Sequence, residues 1–236
     1  MGNKLFHFKQ FSVRHDRSGM KVGTDGVLLG AWTDVTGATH MLDIGTGTGV
    51  IALMLAQRTP SSTHLDAVEL DEKAAEDASE NIIASPWANR VSLHLTAIQN
   101  FNSGVQYDLI TSNPPYFQNS YKPPDQQRER ARHTQQLTFQ DLLEAATRLL
   151  SPAGRLNVIL PHTESLEFIG HASQRGLHCT RKWSFKARPE KPIERWLLEF
   201  SRIPKTQQQG EIILYSSGEE WTEAYKALTR EFYLKL

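Results

Sequence analysis

The stretch NPPYF, from Asn113 to Phe117, contains groups that could take part in catalysis. The side-chain oxygen of Asn113 and the carbonyl of Pro114 can accept both hydrogens of a planar amine, such as the exocyclic amine of adenine. Because Pro114 and Pro115 have fixed φ angles, these acceptors are preorganised. Tyr116 can stack on a flat base, a contact worth about 1–3 kcal/mol, and Phe117 extends that platform. The stretch predicts a catalytic site made of Asn113, Pro114, Pro115 and Tyr116, with a structural proline corner as the alternative.

A glycine cluster, LDIGTGTGV, lies between a predicted strand and a predicted helix. Gly45, Gly47 and Gly49 permit backbone angles and close approaches that a Cβ would block. Their spacing is G-x-G-x-G and not the dinucleotide pattern G-x-G-x-x-G. Asp43 would repel phosphates but suits a ligand that carries an ammonium group. These residues therefore predict a ligand without a pyrophosphate.

Glu69 ends the second predicted strand, 20 residues after Gly49. A carboxylate at that place can accept hydrogen bonds from both hydroxyls of a ribose. S-adenosyl-L-methionine has a ribose, a positively charged amino-acid end and no phosphate. We therefore expect it as the cofactor, with a generic tight turn and a surface glutamate as the alternative.

Composition excludes some classes of site. The chain has 236 residues with 26 Lys+Arg and 26 Asp+Glu, so its net charge neither favours nor excludes nucleic acid. The single cysteine, Cys179, excludes an intrachain disulfide and a cysteine-rich zinc site, and we interpret it as a packed thiol. The scattered histidines form no ligand pair, so we predict no metal.

The sequence carries no membrane or export signal that we recognise. No apolar run approaches the roughly 18 residues that a membrane span needs, and the start lacks a signal-peptide core. We expect a cytoplasmic protein that binds no membrane and has no obligate protein partner.

Short apolar runs alternate with helix-like stretches through the middle of the chain. This alternation predicts right-handed βαβ units and a parallel sheet covered on both faces. The predicted strands are 40–45, 65–70, 91–95, 107–112 and 155–160, and the predicted helices are 50–58, 71–82 and 139–150.

The C-terminal part follows a different pattern. Two alternating runs, 177–185 and 194–202, predict a hairpin with at least one antiparallel strand, and 219–233 predicts a closing amphipathic helix. No linker or repeat divides the chain, so we expect a single domain over residues 1–236. The polar segment 120–136 is long for a loop and is expected to face the substrate.

Together these motifs resemble a known family, and they cover nearly the whole chain. They are FKQF, KVGTDGVLLGAW, LDIGTGTG, VEL, SNPPYF, RHTQQLTFQDLL, GRLNVILP and the ending LTREFYLKL. The chain resembles class I S-adenosylmethionine-dependent methyltransferases of the NPPY amino-methylating group. More closely, it resembles the bacterial family that N6-methylates adenine 37, just 3′ of the anticodon, in tRNA1(Val).

The resemblance implies a Rossmann-like class I methyltransferase fold of the α/β class. This is a seven-stranded, mostly parallel sheet with one reversed strand and helices on both faces. Residues 1–38 would form a cap over the donor site, with VGTDG at the donor's methionine end and a plain helix cap as the alternative. The expected donor-binding residues are Thr24, Asp25, Asp43, Gly45, Gly47, Gly49, Glu69, Leu70, Ile98 and Asn113.

One position departs from the family pattern. After the third strand, such enzymes often have an acidic residue that accepts the adenine amine of the donor, but here the stretch is LTAIQNF with Ala97. Ile98 can still pack on the adenine and offer its backbone N–H. We expect the donor to bind with reduced affinity.

Other NPPY enzymes methylate release-factor glutamine, DNA adenine or a ribosomal RNA base, and these remain alternatives. Few residues precede the glycine cluster, which disfavours the release-factor type with its helical domain. No target-recognition domain of the DNA type is visible, and Tyr116 disfavours a guanine-N2 enzyme. A non-catalytic donor-binding or RNA-binding module is the alternative from another class, and an intact NPPY disfavours it.

Two basic runs predict an RNA-binding surface. The first supplies Lys122, Arg128, Arg130, Arg132 and His133 as substrate contacts, after Phe117. The second supplies Lys186 and Arg188 as substrate contacts, together with Arg181, Lys182, Lys191 and Arg195. A solvated face is the alternative for either run alone. Because an anticodon loop is single-stranded, its base can be turned out easily, so the expected partner is a tRNA anticodon stem-loop.

Overall fold

The computed structural model describes residues 4–19, 21–115 and 137–235. Its strands are β1 (Leu5–His7), β2 (Ser12–Arg14), β3 (His40–Ile44), β4 (His64–Glu69), β5 (Val91–Leu95), β6 (Tyr107–Ser112), β7 (Leu150–Pro161), β8 (His178–Lys186), β9 (Arg195–Ser201), β10 (Gln208–Ile213), β11 (Tyr215–Ser217) and β12 (Glu220–Trp221). Its helices are α1 (Thr24–Trp32), α2 (Val50–Gln57), α3 (Glu72–Ile83), α4 (Phe139–Leu149), α5 (His162–Gln174) and α6 (Glu223–Thr229).

A central sheet organises the described part of the chain. It has eight strands in the spatial order β5-β4-β3-β6-β7-β9-β8-β10. Neighbouring strands pair in parallel except at β9, which is antiparallel to both β7 and β8. The predicted α/β class, the mostly parallel sheet and the reversed strand are confirmed.

The predicted strand count of seven was wrong for this sheet, which has eight strands. The additional strand, β10, pairs in parallel with β8 at the sheet edge. An edge strand has one neighbour and buries few side chains, and in β10 only Ile212 is buried. A Cβ at Gly210 would collide with the Trp183 indole, so this glycine is needed where the two strands meet. A largely polar strand of this kind lacks the apolar alternation from which strands are predicted.

Helices cover both faces of the sheet. On one face, α1, α2 and α6 enclose a core that includes Leu28, Leu53 and Tyr225. On the other face, α4 and α5 enclose a core that includes Leu142 and Phe168. Burial on both faces explains why the central parallel strands are almost continuously apolar.

Most predicted elements have the predicted bounds within a residue or two. The strands β5 and β6 match fully, and the predicted hairpin is confirmed as β8 and β9. The strand β7 begins earlier than predicted, at Leu150, which pairs with Tyr107 before a β-bulge. The closing helix is shorter than predicted, because Glu220–Trp221 pair with β11 and the Thr222 hydroxyl caps α6 by accepting the Tyr225 N–H at 3.1 Å.

The topology brings several strand ends to one edge of the sheet. Because β3, β4, β5 and β6 are parallel, their carboxyl ends lie together, where α/β proteins bind ligands. The reversed strand β9 begins at this same edge. Its first residue, Arg195, pairs with Pro161 at the end of β7 and with Phe185 near the end of β8.

The two ends of the chain meet on one side of the fold. Phe8 forms an isolated bridge with Tyr233, and the Lys9 N–H donates to the Phe232 carbonyl at 2.8 Å. The N-terminal hairpin is therefore fixed before the chain continues toward α1. Within the described ranges, no helix is long and apolar enough to cross a membrane.

Candidate active site

The loop between β3 and α2 has a left-handed backbone at its three glycines. The φ angles are 68° at Gly45, 57° at Gly47 and 80° at Gly49. Residues with a Cβ adopt such angles at a cost of roughly 1–2 kcal/mol. The N–H groups of Gly45 and Thr46 donate to the Val68 carbonyl at 2.9 and 3.1 Å, which ties the loop to the end of β4.

Glu69, the last residue of β4, is held by backbone donors. Its Oε2 accepts from the Gly47 N–H at 2.7 Å. Its Oε1 accepts from the N–H groups of Leu70 and Asp71 at 2.8 and 2.9 Å. Each carboxylate oxygen has two lone pairs, so Oε1 is fully used and Glu69 keeps one acceptor site, on Oε2, for a ligand.

Asp43 lies beneath the glycine loop and is not among the residues that line either of the two cavities described below. Its fully buried carboxylate accepts hydrogen bonds from the hydroxyls of Thr46 and Thr111 at 2.6 and 2.8 Å. Burial raises the pKa of Asp43 to about 6; the two hydroxyl donors oppose the shift and the charge of Glu69 adds to it. Thr46 does line a cavity, so it lies between Asp43 and any ligand there.

The end of β6 is fixed before the NPPYF stretch begins. The Thr111 hydroxyl donates to Asp43 at 2.8 Å, and the Ser112 hydroxyl donates to the Ile44 carbonyl at 2.8 Å. Both contacts join β6 to β3, so the residue that follows, Asn113, is placed beside the glycine loop.

Two cavities meet at Asn113, and Gly45 and Gly47 also line both of them. The Glu69 cavity, of about 300 Å³, extends from this junction toward Glu69. The Arg195 cavity, of about 410 Å³, extends toward Arg195. The predicted donor loop and the predicted catalytic asparagine therefore border the same space. Of the adjacent prolines, Pro114 is buried and Pro115 is exposed and lines the Glu69 cavity.

Besides the shared Gly45, Gly47 and Asn113, the Glu69 cavity is lined by three further predicted donor contacts, Glu69, Leu70 and Ile98. Ile98 is buried, and its carbonyl accepts a hydrogen bond from Arg148 at 2.9 Å. Ala97 lies in the same wall, which has no carboxylate at that position. The wall also contains residues that were not predicted from the sequence, among them Thr96, Gln99 and Leu137.

The Arg195 cavity contains the other predicted pair, Thr24 and Asp25, in the first turn of α1. The N-cap of this helix is Gly23, and no side chain caps it. The Asp25 carboxylate instead accepts a hydrogen bond from the Arg195 guanidinium, with 2.8 Å between Oδ2 and Nε. Phe185 lines the same cavity.

The chain before α1 is held over the Glu69 cavity by α3. The buried Asp77 carboxylate accepts the N–H groups of Arg17 and Ser18 at 3.0 and 2.9 Å. Ser18 and Gly19 line the cavity. Asn81 donates to the carbonyls of Arg14 and Thr48, both at 2.9 Å, and so joins this segment to the glycine loop. Sequence reasoning missed Asp77 and Asn81, because on a helix they are indistinguishable from solvated polar residues.

The second basic run is largely engaged within the protein. Lys186 pairs with Glu211 at 2.6 Å, and Arg181 pairs with Glu199 at 3.4 Å. Arg188 lies over the Tyr215 ring at 5.3 Å. Lys186 and Arg188 are outside the walls described for both cavities. Their role as substrate contacts stays a prediction.

Several predicted site residues lie outside the described part of the chain. They are Tyr116, Phe117, Lys122, Arg128, Arg130, Arg132 and His133. The expected substrate-facing segment 120–136 lies there too. These assignments stay predictions.

Cys179 is half-buried against the core beneath α4 and α5. Burial raises the pKa of its thiol to about 11, so the protonated thiol dominates at neutral pH. Because the thiolate is the nucleophile, this environment agrees with the interpretation of Cys179 as a packed thiol.

Comparison with known proteins identifies the family. The family model described as "Methyltransferase small domain" matches residues 23–172. Among solved structures, the chain is similar to a "predicted O-methyltransferase" from Agrobacterium tumefaciens, with a TM-score of 0.69 and 17% identity over 88% of this chain and 96% of that one. At that identity the likeness supports the class I methyltransferase fold alone.

Curated relatives match along the full length. A tRNA1(Val) (adenine(37)-N6)-methyltransferase from Bacteroides fragilis is 44% identical over 239 residues, covering 100% of both chains. A protein with the same description from Aeromonas hydrophila is 46% identical over 234 residues, covering 99% of each. The chain therefore belongs to the tRNA1(Val) (adenine(37)-N6)-methyltransferase family.

Proposed function

We propose that this protein transfers the methyl group of S-adenosyl-L-methionine to N6 of adenine 37 in the anticodon loop of tRNA1(Val). The observation that carries the proposal is the position of Asn113. It lies where the Glu69 cavity and the Arg195 cavity meet, beside Gly45 and Gly47. A donor held by the glycine loop and an amine held by Asn113 would then be in contact.

The residues of the Glu69 cavity fit the adenosine part of the donor. Glu69 is fixed by three backbone donors and keeps one acceptor site, on Oε2, for a ribose hydroxyl. Leu70 and Ile98 offer apolar surface for the adenine ring. The glycine backbone leaves open space at Gly47, where a Cβ would meet nothing within 4 Å.

Gln99 provides an acceptor that Ala97 lacks. The Gln99 side chain lies close enough to Asp141 to help lower the pKa of its carboxylate. A nearby carboxylate favours the amide N–H side of Gln99, so the amide oxygen is available as an acceptor. Gln99 lines the Glu69 cavity, so this oxygen can receive a hydrogen bond from the donor's adenine amine.

When bound, S-adenosyl-L-methionine supplies an electrophilic methyl group on its sulfonium sulfur. The chain's contribution is to position the acceptor nitrogen. The Asn113 side-chain oxygen and the Pro114 carbonyl accept the two hydrogens of N6, which keeps the nitrogen lone pair available. In our proposal Tyr116 stacks on the target base and Phe117 extends that surface. The surplus proton leaves after transfer, so no residue with a tuned pKa is required.

The remaining predicted regions have roles in the same proposal. Residues 1–38 form a cap that belongs to the single domain, and Ser18, Gly19 and Lys21 contribute to the cavity walls. Segment 120–136 faces the anticodon stem-loop and supplies the first basic run. That run carries most of the phosphate binding, because Arg181, Lys186 and Arg195 of the second run pair with acidic side chains.

Transfer of labelled methyl groups to defined RNA tests the proposal. The purified chain is incubated with labelled donor and a tRNA1(Val) transcript, and the modified nucleotide is mapped. We expect about one methyl group per tRNA, at adenine 37. The matched control is the same transcript with guanine at position 37, which should stay unmodified. Equal labelling of both transcripts, or labelling at another nucleotide, would contradict the assignment.

A further inference from the structure

An ion pair between distant residues stands in the wall of the Arg195 cavity. The Nε of Arg195 is 2.8 Å from Oδ2 of Asp25, and the two residues are 170 positions apart in the chain. Their side chains are 29% and 21% exposed, respectively. Partial burial strengthens such a pair, because less water screens its charges.

This pair lies on the side of the glycine loop opposite Glu69. Asp25 is in the first turn of α1, and Arg195 begins the reversed strand β9. The Glu69 cavity continues past Gly45 and Gly47 into the Arg195 cavity, since both glycines line both cavities. A ligand whose ribose binds Glu69 therefore extends toward Asp25 and Arg195.

The chemistry at this end of the cavity is that of a zwitterion. The charged residues in the described wall are Lys21, Asp25, Glu194 and Arg195. Lys21 and Glu194 are exposed, and water screens their charges. The half-buried residues thus present one guanidinium and one carboxylate side by side. That arrangement complements a ligand end with one carboxylate and one ammonium.

We propose that Arg195 recognises the amino-acid end of the methyl donor by binding its carboxylate, beside Asp25, which the family resemblance already places there and which binds the ammonium group. This inference rests on the proposed function, because it requires the adenosine of that donor in the Glu69 cavity. Without donor the two residues neutralise each other. With donor they share a network of four charges. Arg195 is then a donor-binding residue and not part of the RNA-binding surface on which the sequence placed it.

A pair of ligands that differ only at the amino-acid end tests the proposal. S-adenosylhomocysteine has that end, and 5′-methylthioadenosine lacks it but keeps the adenosine and the thioether sulfur. Calorimetric titration of the full chain measures both affinities. Arg195→Gln should weaken S-adenosylhomocysteine about 10- to 100-fold, the range for a hydrogen bond between charged groups, and leave 5′-methylthioadenosine unchanged.

Two further variants of the pair and a matched control complete the experiment. Arg195→Lys keeps the charge without the planar fork and should recover part of the lost affinity. Asp25→Asn should also weaken S-adenosylhomocysteine selectively, which gives a second test if Arg195→Gln does not fold. Arg155→Gln is the control, because Arg155 also pairs with a distant aspartate, Asp34 at 3.0 Å, but lies outside both cavity walls. It should leave both affinities unchanged.

The possible outcomes separate the inference from the function on which it rests. Equal loss of both ligands in Arg195→Gln would overturn the inference, as would unchanged binding of both. If Arg195→Gln weakened only tRNA binding, Arg195 would instead be assigned to the RNA-binding surface. If the wild-type chain bound neither ligand, the proposed function itself would be wrong.

Discussion

The two cavities that meet at Asn113 are built in different ways. The Glu69 cavity is held by backbone donors from residues next to the strand ends, with three N–H groups on one carboxylate. The Arg195 cavity is held by a side-chain ion pair between the start of α1 and the start of β9. Backbone donors fix a charge in one place, whereas a side-chain pair can exchange its partners. The Glu69 cavity therefore suits a neutral ribose with fixed hydroxyls, and the Arg195 cavity suits the charged amino-acid end of the methyl donor.

The largest expected effect is at the junction of the cavities. Asn113→Ala removes the side-chain acceptor for the amine, and kcat should fall about 100- to 1,000-fold, as when one preorganised hydrogen-bonding group is removed from an active site. Because the donor is held by the residues on either side, S-adenosylhomocysteine affinity should change little. Single-turnover methylation of tRNA and calorimetry measure the two quantities separately. Full turnover by this variant would remove Asn113 from the mechanism.

Glu69→Ala should weaken donor binding about 100-fold, because hydrogen bonding to a charged acceptor is lost. In contrast to Arg195→Gln, the loss should be equal for S-adenosylhomocysteine and 5′-methylthioadenosine, since both have the ribose. Glu72→Ala is the matched control, because Glu72 is exposed at the start of α3 and outside both cavity walls. A loss confined to S-adenosylhomocysteine would show that the two cavities are not independent.

Asp43, beneath the loop that both cavities share, should make stability depend on pH. Burial raises its pKa to about 6 from 3.8, so the native state favours the protonated form. Its contribution to stability is therefore fully present below pH 3.8 and is lost as pH rises through 6. Asp43→Asn should lose this dependence. The free energy of unfolding of the variant, relative to that of wild type, should therefore rise by about 2 kcal/mol between pH 4.5 and pH 7, as measured by urea titration.

Asp34 is the control, because its pKa is shifted in the opposite direction. Burial alone would raise the pKa of Asp34, but hydrogen bonds from Thr36 and the Arg155 guanidinium hold it below its usual value. Its contribution to stability is present above the ordinary pKa and is lost as pH falls. In urea titrations, Asp34→Asn should therefore lose stability against wild type as pH rises toward and through 3.8, and the difference should stay nearly constant from pH 4.5 to pH 7. A flat difference for Asp43→Asn would mean that its carboxyl is not desolvated.

Predicted site residues line both cavities, but the sequence assigned Arg195 itself to the RNA-binding surface. Gly45 and Asn113 directly follow strands and Glu69 ends one, and β5 and β6 have their predicted bounds. Parallel strands bring such residues to one edge without further information. Arg195 lies at that edge only because β9 runs in the opposite direction. Its basic neighbours in the sequence indicated a surface role, since nothing local reveals its partner Asp25.

The predicted bounds agree fully for β5 and β6, whose apolar runs are clearly delimited in the sequence. The polar edge strand β10 was missed because burial at an edge leaves little periodicity. Gln99 and Leu137 were missed because their place in the cavity wall depends on the packing of α4 and of the loop after β5. These contacts are tertiary, and their residue types alone do not distinguish them from a solvated loop.

The smallest expected effect separates backbone strain from cavity shape. Gly47 has a φ of 57°, lines both cavities and has open space where a Cβ would lie. Gly37 has a φ of 73° and the same open space, but it is exposed and outside both cavity walls. Gly47→Ala and Gly37→Ala should each reduce the free energy of unfolding by about 1 kcal/mol, because both place a Cβ on left-handed backbone. Only Gly47→Ala should also weaken 5′-methylthioadenosine and S-adenosylhomocysteine together, since its methyl group would occupy the floor common to the two cavities. Unchanged binding of both ligands by Gly47→Ala would mean that the donor does not cross the loop at this residue, and the division of its two ends between the cavities would then be wrong.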